Sequence, residues 1–311
     1  MKTIHQIMIY FAVIGILYTP MACKEKQDMK MEENGAAIQG ITLAQWSFHR
    51  ELLSGQMTHL DFIRVSGEMG FDGVEYVNQF FKDKAEAESY LDTMNQIAKE
   101  AGVKQVLIMI DGEGHLGDLD EAKRTQAIEN HKKWVRAARH LGCHSIRVNA
   151  HGEGSAEEVM EAVVDALGKL ADYAQEYGVN VLVENHGGYS SNGAWLAEVM
   201  RKVDRDNCGT LPDFGNFCLR REGGAMWGTP CLEEYDKYMG VQEMMPFARA
   251  VSAKSYDFDE KGEETTIDYK RMLKIIKSHP YNGYIGVEYE GNQFSEREGI
   301  ELTKKLIEKY L

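Results

Sequence analysis

Ionisable side chains recur in this chain at one kind of place, the far end of a short apolar run. Glu75 follows Gly-Val, Asp111 follows Leu-Ile-Met-Ile, and Arg147 and Asn149 close Ser-Ile-Arg-Val-Asn. Glu184 and His186 end Val-Leu-Val-Glu-Asn-His, Asp213 follows Thr-Leu-Pro, and Lys254 follows Val-Ser-Ala. Glu288 and Glu290 close Ile-Gly-Val-Glu-Tyr-Glu, while Glu113, His115 and His151 lie just past such ends. A helix cap would place Ser, Thr, Asp or Asn there, which suits Asp118. It does not account for Glu after Val-Leu-Val, because a carboxylate on an apolar strand is costly unless paired or metal-bound. Gathered in one place, such groups can grip a cation or pass protons. Trp46 and Phe48 end the first run and offer flat apolar faces on which a ligand could stack.

The elements that would gather them are eight strand-like runs, at 42–48, 73–78, 104–111, 145–150, 180–186, 209–214, 250–258 and 284–290. Helix-length segments separate them, clearest at 85–101, 122–141 and 156–177. In the last of these Val159, Val163, Ala166, Leu167 and Leu170 keep helical spacing. Ala101-Gly102, Leu141-Gly142 and Tyr177-Gly178 supply stop signals directly before strands. Eight alternations over about 270 residues fit an α/β fold closed as a (β/α)8 TIM barrel in one domain, 41–311. The competing open, doubly wound sheet would carry a glycine-rich turn after its first strand, where this chain reads Gln45-Trp46-Ser47-Phe48-His49. In a barrel the C-terminal strand ends converge on one rim, and seven of the eight runs deliver an ionisable residue to it.

With these motifs in order the chain resembles the xylose-isomerase-like TIM-barrel superfamily of sugar isomerases and epimerases, which also includes endonucleases of the AP endonuclease 2 type. Glu184-Asn-His, Asp213-Phe-Gly-Asn216, Ser252-Ala-Lys254-Ser, Glu288-Tyr-Glu290-Gly and Gly73-Val-Glu75-Tyr carry the resemblance. It implies a divalent cation held by Glu184, Asp213 and Glu288. The family's fourth ligand is a His, and here Ser252 stands in its place. Three carboxylates without imidazole favour Mg or Mn over Zn. The implied activity removes a proton beside a sugar carbonyl, with Glu184 and Glu288 as bases on either face of the substrate. Lys254 is expected to act on the developing oxyanion or as an acid with a lowered pKa. His186, Arg147, Asn149, Glu75, Trp46 and Asp111 are expected to bind the sugar, with Arg147 alternatively pairing an acid such as Glu75. A lyase or dehydratase acting on a keto-sugar or keto-glycoside would use the same groups, and a sugar-binding protein that has lost catalysis is the non-enzymatic reading.

Composition narrows the partners. Of 311 residues, 43% are hydrophobic and 27% charged, an ordinary globular balance. Asp and Glu number 49 against 35 Lys and Arg, for a formal charge of −14, so nucleic acid is an unsuitable partner; a small sugar or sugar derivative is the partner the resemblance implies. Residues 1–22 read as a signal peptide with an eleven-residue apolar core at 7–17. Ala22-Cys23 resembles a bacterial lipobox, so Cys23 is the expected lipidated N-terminus, with 23–40 as a polar tether. The expectation is a periplasmic or membrane-anchored lipoprotein, touching membrane only through that anchor. Cys143, Cys208, Cys218 and Cys231 form no CxxC pair, and an oxidising compartment permits disulfides among them. His49, His59, His131, His140 and His279 are expected to face solvent; Trp134 and Tyr173 are expected in the core. Oligomeric state is not legible.

Overall fold

The computed structural model describes residues 36–311. The expected signal peptide, Cys23 and most of the tether lie outside the described residues. Eight parallel strands form the central sheet: β1 (Gly40–Ala44), β2 (Gly73–Val77), β3 (Lys104–Met109), β4 (Ser145–Val148), β5 (Asn180–Glu184), β6 (Cys208–Leu211), β9 (Val251–Ser255) and β10 (Tyr284–Tyr289). β7 (Cys218–Arg221) and β8 (Cys231–Glu234) form a separate antiparallel hairpin. The sheet runs β6-β5-β4-β3-β2-β1-β10-β9, and isolated bridges Thr210–Ala248 and Asp213–Ser252 join its two ends. The result is a (β/α)8 TIM barrel whose seam lies between β6 and β9.

Period-2 alternation decides what each strand offers to each side. Val74 and Tyr76, Ile146 and Val148, Val181 and Val183, Val251 and Ala253, and Ile285 and Val287 are all buried in the large hydrophobic cluster. The helices that share it include α2 (His59–Glu68), α3 (Glu88–Ala101), α4 (Glu121–Leu141), α5 (Ala156–Gln175), α6 (Gly193–Val203), α8 (Tyr269–Lys277) and α9 (Glu296–Tyr310). The intervening residues point into the barrel. These are Glu75, Arg147, Leu182, Glu184, Leu211, Ser252, Lys254, Gly286 and Glu288, with a smaller apolar cluster around Leu107, Leu182 and Leu211 beside the charged residues. Apolar packing on the outer face thus fixes the direction of every polar side chain on the inner one.

Local signals set the helix ends. Ser155 and Glu158 form a capping box at the start of α5, as Ser295 and Glu298 do for α9. Gly142, at φ +73, ends α4 in the left-handed conformation its sequence position called for. Trp134 is fully buried, while Tyr173 is partly buried against the core. Three expectations fail here. His59 and His131 are buried, at 6% and 3% exposure, rather than solvent-facing. His59 stacks on Phe81 and accepts a hydrogen bond from Gln45 through Nδ1, and His131 Nδ1 donates to the Ala127 carbonyl. Phe48 is fully buried against Phe62, in a 3-10 turn that follows β1, so it offers no face to a ligand.

Candidate active site

The C-terminal strand ends enclose a cavity of about 610 Å3. Trp46, Asp111, Arg147, Asn149, His186, Lys254 and Glu288 line it, together with Gln79, His151, Asn216, Trp227, Tyr256 and Glu290. Glu184 and Asp213, at 2% and 0% exposure, lie behind the lining, Glu184 against Arg147 and Asn216 and Asp213 against Lys254. One carboxylate oxygen each from Glu184, Asp213 and Glu288 falls within 4.8 Å of the others, although the three acids come from three separate segments. Register explains the meeting: Glu288 pairs with Lys254 across β10–β9, and Asp213 bridges to Ser252 across the seam.

Asp213 is the most firmly held of the three. Its Oδ1 accepts from the Gly215 and Asn216 amides, both at 2.8 Å, and its amide donates to Asn185 Oδ1 at 2.7 Å. Ser252 Oγ lies 2.7 Å from Asp213 Oδ2 and 2.8 Å from Glu288 Oε2, and one hydroxyl proton cannot serve two carboxylates at once. Glu184 Oε1 accepts from Asn216 Nδ2 at 3.0 Å. Its Oε2 lies 2.9 Å from Arg147 Nε, but the angle is wrong for a hydrogen bond, so both atoms stay unpartnered while in charge contact. Burial pushes the Glu184 carboxyl well above its ordinary range, further than Arg147 draws it down. Burial likewise lifts Asp213, to about 6, against the pull of Lys254. Crowded acids with an idle oxygen and too few protons are a donor set that fits a hard cation.

Two cations of the chain already face these acids. Lys254, 2% exposed, holds Nζ 3.0 Å from Glu290, 3.4 Å from Glu288 and 3.8 Å from Asp213. Burial opposes its charge, but the three carboxylates outweigh that and hold its pKa well above the ordinary lysine value. This corrects the expectation of a lowered pKa: the neighbours of Lys254 are acids, not cations. Arg147 spans Glu184 and Asp111, the latter at 2.9 Å, and its paired acids are these two rather than Glu75. Asp111 Oδ1 also accepts from Asn149 Nδ2 at 2.7 Å. Burial opposes the charge of Asp111, but Arg147, His186 and the hydrogen bond from Asn149 together outweigh it, so its carboxyl sits well below the usual range. His186 Nδ1 donates to Asn149 Oδ1 at 2.9 Å, leaving Nε2 as the ring's free lone pair. Burial, then Arg147, holds this imidazole neutral.

Glu75 does not reach the cavity. The inward positions of β2 are Gly73, Glu75 and Val77, and Val77 occupies the rim layer, where it lines the cavity. Glu75 sits two residues lower, roughly 7 Å at strand rise, fully buried, with Oε1 accepting from Thr42 at 2.5 Å. Burial lifts its pKa to about 7. Glu290, Asn216 and Tyr256 were legible as neighbours of motif residues, two or three positions away along the chain. Trp227 was not, because the hairpin that carries it has no strand-like alternation.

A family model described as xylose isomerase-like TIM barrel matches residues 63–309. The chain belongs to that family. Among sequence relatives, the C-glycoside deglycosidase alpha subunit of Arthrobacter globiformis is 22% identical, with the alignment covering 84% of this chain and 86% of the relative. Solved xylose isomerase-like barrels share the fold at low identity. The 3-keto-D-glucoside 4-epimerase of E. coli superposes with a TM-score of 0.66 at 16% identity, covering 86% of this chain and 98% of the other. An IolI protein with a bound zinc atom gives 0.61 at 16%, covering 88% and 99%. A barrel protein from Mycobacterium smegmatis in complex with magnesium gives 0.59 at 16%, covering 80% and 87%.

Proposed function

We propose that this family member is a metal-dependent sugar isomerase or epimerase, working by proton removal beside a carbonyl. The supporting observation is the meeting of Glu184, Asp213 and Glu288, three buried acids whose nearest oxygens fall within 4.8 Å of one another. A divalent cation held by these three, with Mg or Mn favoured by the all-oxygen donor set, would offset negative charge on two adjacent substrate oxygens as the proton leaves. Glu184 and Glu288 are the bases. Arg147 Nε lies 2.9 Å from Glu184 Oε2 and Lys254 Nζ 3.4 Å from Glu288 Oε1, so each base has a cation of the chain beside it. Lys254 remains an ammonium ion, stabilising charge rather than donating a proton. Asp111, Asn149 and His186 form a hydrogen-bonded row along one wall, presenting His186 Nε2 to a substrate hydroxyl. Trp46 offers a ring on the opposite side. The test is direct: the purified chain should bind about one divalent ion, and Glu184→Gln or Glu288→Gln should each cut turnover by about 10³-fold or more. Full activity in a metal-free preparation would refute the proposal.

A second reading is favoured by the sequence relatives, named as C-glycoside deglycosidase alpha subunits along most of this chain. A lyase acting on a keto-sugar or keto-glycoside begins with the same proton removal and then expels a leaving group. Product mass separates the two, unchanged for isomerisation and reduced for elimination. A sugar-binding protein without catalysis would show affinity, no metal requirement and no product.

For location, we propose export. The Cys218–Cys231 disulfide supports it, since such bonds persist in oxidising compartments. The sequence signals at 1–23 point the same way. Intact-mass analysis of the mature protein from cell envelopes should show a lipid-bearing Cys23 N-terminus; an intact Met1 would refute it.

A further inference from the structure

Beside the strand-end cavity lies a second hollow of about 480 Å3 that none of the proposed catalytic groups enters. It opens between the segments that follow β4 and β5 on one side and the β7–β8 hairpin on the other. His151 lines both hollows, so the two are neighbours across a single side chain. The hairpin tip divides between them, with Trp227 on the strand-end cavity, 4.5 Å from the His186 ring, and Met226 on the side hollow. Gly187, at φ +87, permits this approach: a Cβ there would lie 2.9 Å from Met226 Sδ and 3.5 Å from the Trp227 ring.

The walls of the side hollow are more apolar than polar, with Ala150, Ala156, Trp195, Leu219 and Met226 supplying most of the carbon. Trp195 Nε1 donates to the Ala156 carbonyl and Tyr189 Oη to the Gly154 carbonyl, so both rings have used their polar atoms on backbone. Leu219 and Met226 close the hairpin side. Polar groups sit at the edge: Arg220 and Glu233 form an exposed ion pair at 3.5 Å, and His151 and Asn192 complete the lining. Tyr189, Met226 and Trp227 remain 36%, 39% and 42% exposed, a cluster of large apolar groups at the mouth of a polar site. The disulfide between Cys218 and Cys231 ties the two hairpin strands together, so this wall is built rather than loose.

We infer that the side hollow binds the aglycone of a glycoside, an aromatic ring, while the sugar occupies the strand-end cavity. This rests on the sugar-transforming reading above and names its substrate class. A second sugar is the less suitable occupant, because apolar surface outweighs polar here and the polar atoms of Trp195 and Tyr189 are already bonded to backbone.

Matched methyl and phenyl β-D-glucopyranosides, galactopyranosides and xylopyranosides, titrated calorimetrically into the full chain with divalent metal present, provide the test. For at least one sugar the phenyl glycoside should bind roughly tenfold tighter than its methyl counterpart, or more. Leu219→Asp, which charges the wall, and Ala156→Phe, which fills the hollow, should each erase that preference and leave methyl-glycoside affinity within about twofold. Each variant's melting temperature is checked alongside. Equal affinity for phenyl and methyl forms of a sugar that does bind overturns the aglycone site and leaves the sugar reading standing. A preference surviving both substitutions places the ring elsewhere and likewise overturns it. Binding of no glycoside at all overturns the aglycone site and leaves the sugar reading to its own test of metal binding and turnover.

Discussion

Lys254 offers the sharpest probe of the charge arrangement. Its ammonium group is 2% exposed and lies 3.0–3.8 Å from Glu290, Glu288 and Asp213. Lys254→Met keeps the bulk and removes the charge. Deleting one partner of a buried ion pair costs about 3–5 kcal/mol, because the other is left uncompensated. For a chain of this size each kcal/mol moves Tm by roughly 2–4 °C, so a fall of roughly 6–20 °C is expected in EDTA. Divalent metal should then rescue the variant more than the parent. Any folded state that binds a ligand at a hundredfold its Kd gains about 2.7 kcal/mol. The variant gains further, because a unit charge about 4 Å from a divalent ion repels it by several kcal/mol at an effective dielectric near 20. Thermal denaturation with EDTA, MgCl2 or MnCl2 reads both effects. A Tm within about 2 °C of the parent in EDTA would mean the acids are not jointly charged. An equal metal-induced shift in both proteins would mean the ion does not sit among them.

Three further outcomes are expected. Burial pulls His59 down to about 3, so the unfolded chain takes up a proton that the folded chain refuses between pH 6.5 and 3. The stability it supports is complete above pH 6.5 and falls by about 1.4 kcal/mol per unit as pH drops through that window. His59→Phe should therefore flatten the acid limb in urea titrations at pH 7, 5.5 and 4.5, and parallel curves would count against a neutral buried His59. Gly286→Ala would set a Cβ 2.6 Å from Glu75 Oε1 and should cost about 1–3 kcal/mol in urea unfolding; a loss under about 0.5 would show that the Glu75 carboxyl moves freely. Replacing Cys218 and Cys231 together by Ser reopens a short loop worth up to about 3 kcal/mol. Hydrogen exchange should rise over 218–234 and stay unchanged in the barrel strands; protection unchanged in the hairpin would mean the bond constrains nothing there.

The barrel and the identity of its rim residues were legible because two periodicities agree along the chain, helical spacing between runs and alternation within them. Outward-facing pairs such as Val181 and Val183 force Glu184 inward, and that much follows from order alone. Depth was not legible. Glu75 and Glu184 follow similar apolar residues, but β2 continues two residues past Glu75 while β5 ends at Glu184. The register irregularity between Val74 and Glu75 has no sequence signature. The direction of the Lys254 shift needed the distances to Glu288 and Glu290, which only the β9–β10 pairing supplies. The burial of His59 and His131 required knowing which helix face meets the barrel. The hairpin escaped because 218–234 mixes Gly, Pro and charge without alternation, and cysteine spacing does not determine pairing.

A hoop is as strong as its join. Seven neighbouring strand pairs are laced by ladders, while the segments of β6 and β9 meet through two isolated bridges, one of them Asp213–Ser252. At that join Ser252 Oγ reaches Asp213 on one bank and Glu288 on the other. An ion clasped between those banks would act as a rivet, so loading the site and tightening the whole ring become one event.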